Sequence, residues 1–156
     1  MKLKNITKAI NNQANKVILN VGFLQKDMAK IAIINEFGAH IRVTNKMRKW
    51  FAVQGIYLKK ETTEIVIPPR PFMQQTVDNH NKEWTRILQT LIVKNKYDWN
   101  KTLNMLGEIV TGNIQETIEE GDFVANSPLT IKWKNGKDTP LVNTGHMRGS
   151  VAYEVL

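Results

Sequence analysis

Apolar and polar positions alternate along this chain in patterns that change period several times. Leu3, Ile6, Ala9 and Ile10 fall at helical spacing and predict a helix over residues 3–14, weakened at its end by the Asn-rich stretch 11–15. The β-branched set Val17, Ile18 and Val21 predicts a strand, with Gly22 near its end. Met28, Ile31, Ala32 and Ile34 predict a short helix that stops after Phe37, because Gly38 tolerates the left-handed backbone a helix end needs. The segment 46–55 predicts a short amphipathic helix ending at Gly55, with Met47, Trp50 and Phe51 apolar and Lys46, Arg48 and Lys49 basic. Residues 57–67 predict an extended stretch with a polar turn at 61–63, ended by Pro68-Pro69.

Two long helices follow. Phe72, Val77, Trp84, Ile87, Leu88 and Leu91 form one helical stripe, with Pro71 suited to the first turn. Trp99, Leu103, Leu106, Val110, Ile114 and Ile118 form the other, with Asp98 as N-cap and Gly121 as stop. Gly107 and Gly112 lie inside this second helix at a cost of about 1 kcal/mol each relative to Ala. They either let a neighbouring element approach closely or mark a bend. Further on, residues 129–133 suit a strand or a short helix, and Asn135-Gly136 signals a turn. Val151, Tyr153 and Val155 alternate as in a final strand. There is no internal repeat and no break that divides the chain, so 1–156 is expected to form a single domain.

Composition changes this picture mainly through charge. The 156 residues are 42% hydrophobic and 23% charged, normal for a globular fold. The net charge is +8, and it is lopsided: residues 1–60 carry 12 basic and 2 acidic side chains, while 61–156 carry 10 basic and 12 acidic. A basic half attracts nucleic acid or other anionic surfaces, suits head-to-tail contacts between copies, or is simply a solvated face. The N-terminal stretch has no apolar run of signal-peptide length, and nothing approaches the ~20 apolar residues of a membrane span. Synthesis in the cytoplasm, without membrane association, is the expectation.

Candidate chemistry is sparse. Cysteine is absent, and His40, His80 and His146 are too far apart in sequence to form a ligand pair. No phosphate loop, nucleophile elbow or carboxylate pair in an apolar setting is present. The expectation is a non-enzyme with no catalytic, metal-binding or cofactor-binding residue and no cofactor. Lys46, Arg48 and Lys49 beside Trp50 and Phe51 mix cations with aromatics as nucleic-acid surfaces do, but the spacing better fits a helix whose aromatics enter the core. Glu36, at a helix stop, and Arg70, held between prolines, are expected to pair and tie the short helix to the start of the long one.

The order of four segments carries a resemblance. AIINEFGAH is followed by IPPRPFM opening a long helix, then LGEIVTGNIQETI in a second helix, then SPLT and PLVNTGHMRGSVAYEV. From about residue 17 to the end, the chain resembles the tail-completion or virion-morphogenesis proteins of tailed bacteriophages and prophages, a group that includes the Mu-like morphogenesis protein and minor tail components of siphophages.

The resemblance implies an α+β fold, with a small antiparallel sheet packed against one long helix and additional helices. It implies a structural role in tail completion or head-tail joining at the neck, within the virion, as a ring usually of six copies. The implied partners are other copies of the chain, the tail tube and the head-completion or connector proteins, with non-specific contact to passing DNA. Glu36, Phe37, Gly38, Arg70, Pro71, Phe72, Thr144, Gly145 and Met147 match the shared segments and are implied to be structural or assembly residues. Segments 39–55 and 123–143 are the candidates for ordering on assembly. A small basic DNA-binding protein of a prophage is the alternative.

Overall fold

In the computed structural model, which describes residues 17–156, the first element is strand β1 (Leu19–Gly22), followed by helix α1 (Lys26–Phe37). Strand β2 (Ala39–Arg42), helix α2 (Asn45–Val53) and strand β3 (Glu64–Ile67) come next. The long helices are α3 (Phe72–Lys94) and α4 (Trp99–Glu120). Short helices α5 (Pro128–Trp133) and α6 (His146–Gly149) precede the closing strand β4 (Ala152–Val155). The helix expected over 3–14 lies outside the described residues.

The α+β class holds, with the strands divided between two antiparallel pairs. β1 pairs with β4, Leu19 opposite Val155 and Val21 opposite Tyr153, which joins the two ends of the described chain. β2 pairs with β3, Ala39 opposite Ile67 and Arg42 opposite Glu64.

Helix α4 organises the core. It packs along α3 on one side and against both β1 and β4 on another. All of its expected stripe but Trp99 is buried: Leu103, Leu106, Val110, Ile114 and Ile118 join Ala32, Phe72, Leu141, Met147 and Val151 in a single apolar cluster, while Trp99, in the first turn, is half-buried and outside it. Each Leu, Val, Ile, Phe or Met side chain of this kind, fully buried, contributes about 1.5–3 kcal/mol. The Asp98 carboxylate accepts from the Lys101 backbone N–H at 3.0 Å, as its N-cap position requires. Gly107 is where β4 comes closest: a Cβ there would stand 2.5 Å from the Tyr153 ring, so only glycine admits this contact. Gly112 faces open space, and the helix continues through it.

The turn between the long helices was not legible beforehand. Lys96 and Tyr97 both adopt left-handed backbone, at φ 53° and 64°, with no glycine to announce it. Residues 129–133 resolve as the helix α5, capped by the Ser127 hydroxyl, which accepts from Thr130 N–H at 3.2 Å. The segment 39–55 holds β2 and α2, and 123–143 holds α5.

Candidate assembly surface

The junction of α1, β3 and α3 gathers six of the nine assembly candidates that the sequence singled out: Glu36, Phe37, Gly38, Arg70, Pro71 and Phe72. The N-cap of α3 is Pro71, which has no side chain able to accept from the helix's unpaired N–H groups. Glu36, in the last turn of α1, supplies the acceptor from outside. Its two carboxylate oxygens take the backbone N–H groups of Met73 at 2.9 Å and Gln74 at 3.0 Å. A negative charge at the C-terminal end of α1 opposes that helix's dipole; at the N-terminal end of α3 it is stabilised. Gly38 turns the chain at φ 73°, and a Cβ there would meet the Ile67 carbonyl at 2.7 Å.

The expected Glu36–Arg70 ion pair is not formed. Glu36 does tie the short helix to the long one, but through backbone amides. Arg70 faces the other way. Its Nε donates to the Val124 carbonyl at 2.9 Å, and Nη2 donates to the Ala125 carbonyl at 3.4 Å and Asn126 Oδ1 at 3.3 Å. Its own backbone N–H donates to the Asn35 carbonyl at 2.7 Å. Arg70 thus joins α1, the start of α3 and the arm that follows α4. Burial lowers its pKa below the ordinary value. Phe72, next along, is fully buried, with its ring edge-on to Phe23 at 5.9 Å.

Sequence reasoning missed two members of this junction. Asn126 is buried and passes the link onward by donating to the Asp138 carbonyl at 3.0 Å. Lys134 is buried too, and its ammonium donates to the carbonyls of Thr139 at 2.6 Å and Pro140 at 3.0 Å. Burial pushes its pKa down, nearby Arg70 adds to that, and Asp138 opposes it. A lysine just before an Asn-Gly turn reads as solvated, and no sequence signal marks it as internal.

At the C-terminal segment, Met147 enters the core, Gly145 leads into α6, and the exposed Thr144 hydroxyl accepts from His146 N–H at 3.4 Å. Arg148 pairs with Glu119 and holds α6 to α4.

Phe37 stands apart from all of these. Among the residues that the sequence singled out for assembly, it is the one large apolar side chain that the fold leaves in solvent, 75% exposed. Ile33, one turn earlier on α1, is 57% exposed, and Val77 on α3 is exposed as well. Together with Phe23, Ala29 and Met73 they line an open groove of about 460 Å³ between α1 and α3. Its Glu36 carboxylate is already occupied by the α3 amides, so the groove offers apolar contact more than polar chemistry.

The basic cluster is placed elsewhere, on the lobe formed by β2, α2 and β3. Lys46 and Lys49 are exposed. The expectation that the neighbouring aromatics enter the core is corrected: α2 buries no residue, and Trp50 is 54% exposed. Trp50 and Phe51 instead pack on Trp133 of α5, with ring centroids at 5.9 and 5.7 Å, the second pair stacked at 11°. No residue of β2, α2 or β3 belongs to the apolar cluster around α4, so the aromatics of α2 have only α5 to pack on. Arg48 is structural: its guanidinium donates to the carbonyls of Leu58, Lys59, Lys60 and Thr62 at 2.5–3.3 Å.

Among the described residues no group of three or more His, Cys, Asp or Glu side chains is placed to hold a metal ion, and no helix is long and apolar enough to cross a membrane. No family model, curated protein or solved structure matches this chain.

Proposed function

We propose that this chain is a structural protein of phage or prophage virion assembly, acting at tail completion or head-tail joining as one subunit of a ring, with a hexamer as the expected size. The observation that carries the reading is the exposure of Phe37. The segments that carry the resemblance to tail-completion proteins gather Glu36, Gly38, Arg70 and Phe72 at one hydrogen-bonded junction, and the first of them sets Phe37 and Ile33 on an open apolar groove. An exposed apolar groove on a rigid frame suits burial against a neighbouring subunit. A ring needs two different faces that meet head to tail and close, and the chain has chemically distinct faces in the apolar groove and the basic lobe. Location in the virion, and contact with the tail tube and connector, belong to the same proposal.

Electron microscopy of lysates from a phage or induced prophage lacking the gene tests it. The expected result is filled heads beside unattached tails, or tails of uncontrolled length. Normal joined particles would contradict it.

A further inference from the structure

The β2–α2–β3 lobe is built to present unpaired positive charge. Residues 39–67 contain six basic side chains and two acidic ones, Glu61 and Glu64, and the Glu64 carboxylate faces His40 at 3.0 Å. Arg48 is spent internally. By holding the carbonyls of Leu58, Lys59, Lys60 and Thr62, it fixes the loop that carries Lys59 and Lys60 against the helix that carries Lys46 and Lys49. All four lysines are exposed, and none takes part in an ion pair among the described residues. Stacking of Phe51 on Trp133 anchors the lobe to α5, which limits its movement relative to the rest of the molecule.

From this arrangement we infer that the lobe binds the phosphodiester backbone of a nucleic-acid duplex through Lys46, Lys49, Lys59 and Lys60, without reading base sequence. An acidic protein surface is the competing partner for a basic lobe. Lysine is depleted at protein–protein interfaces, and of the lobe's two arginines, the residue type that makes planar bidentate contacts to carboxylates, Arg48 is committed to backbone carbonyls, which leaves Arg42 of β2 against four exposed lysines. Four flexible point charges on a fixed frame suit phosphates, whose attraction needs proximity and not orientation. The inference stands independently of the particle-assembly reading, since a lobe that holds DNA fits a ring around passing DNA and a free DNA-binding protein alike.

The test is fluorescence anisotropy of the full chain with short labelled DNA duplexes of two unrelated sequences. Both should bind alike and weaken about 100-fold between about 50 and 200 mM salt, as about four phosphate contacts require. The variant with Lys46, Lys49, Lys59 and Lys60 all replaced by Gln, which keeps Lys2, Lys4, Lys8 and Lys16, should lose about 3.6 from the slope of log K against log salt. The two paired variants, Lys46→Gln with Lys49→Gln and Lys59→Gln with Lys60→Gln, should each lose about half of that, and they serve if the quadruple variant does not fold. Absence of binding at low salt, or an unchanged slope in these variants, would overturn the inference. So would variants that bind DNA normally but no longer self-associate; that result would assign the lobe to an acidic face of a neighbouring subunit.

Discussion

The α4–β1–β4 core and the β2–α2–β3 lobe hold themselves together by opposite means. In the core, α4 buries five aliphatic side chains on one face and admits Tyr153 at Gly107. In the lobe, α2 buries nothing, and cohesion comes from Arg48 on four carbonyls and from the Trp50, Phe51 and Trp133 rings. Apolar burial is non-directional and scales with area, so the core tolerates no loss of volume. Hydrogen bonds at a surface are worth about 1 kcal/mol each and leave side chains free for other contacts. The difference separates a region that maintains the fold from a region that presents a surface, and the rings of Trp50 and Phe51 against Trp133 tie the lobe to α5.

Substitutions in the two regions should therefore differ in size and in reach. Phe72→Ala, at a fully buried site, should cost about 3–5 kcal/mol of global stability, and Ile118→Ala about 2–5 kcal/mol, both read from urea denaturation. A cost below 1 kcal/mol at either site would mean that the core is not where the structure puts it. Glu36→Ala removes a carboxylate that accepts two amides at the start of α3 and should cost about 2 kcal/mol, with faster hydrogen exchange at Met73 and Gln74.

Arg48→Met should act locally. Amides of residues 58–63 should lose hydrogen-exchange protection while global stability falls by about 1 kcal/mol or less. Equal loss of protection in α4 would erase the distinction between core and lobe.

The smallest effect concerns pH. The pKa of Lys134 is lowered in the folded chain from its ordinary 10.5, so the unfolded chain binds more protons at alkaline pH. Its contribution to stability therefore rises with pH in the window between the lowered value and 10.5. Lys134→Met should lack that rise, so the wild type should gain on the variant as pH increases across the window. Constant spacing between the two denaturation curves would show that Lys134 titrates alike in both states.

The elements that could be read in advance were those with strong local signals. The α4 stripe, its Asp98 cap, the stop of α1 at Gly38 and the alternation of β4 all follow from period and capping chemistry. The link between Glu36 and the start of α3 was legible as a pairing of two segments, but its partner was assigned to Arg70 by charge alone. Backbone N–H groups at a helix start leave no mark in the sequence when the N-cap is proline, so the true acceptor role was invisible. The same holds for Arg48, whose four partners are carbonyls, and for Lys134. Short β2 was missed because its strand partner lies beyond α2 and the loop that follows it, and no local turn connects them. Exposure of Phe37 required the fold, since an apolar residue at a helix end reads as buried.

The central claim is that Phe37 and the α1–α3 groove serve assembly and not folding. Phe37→Asp, supplied in trans to a phage or prophage lacking the gene, tests it most directly. The variant should fold with wild-type stability, because Phe37 is exposed, yet leave filled heads and separate tails in the lysate. Wild-type yields of joined, infectious particles from a folded Phe37→Asp protein would contradict the account.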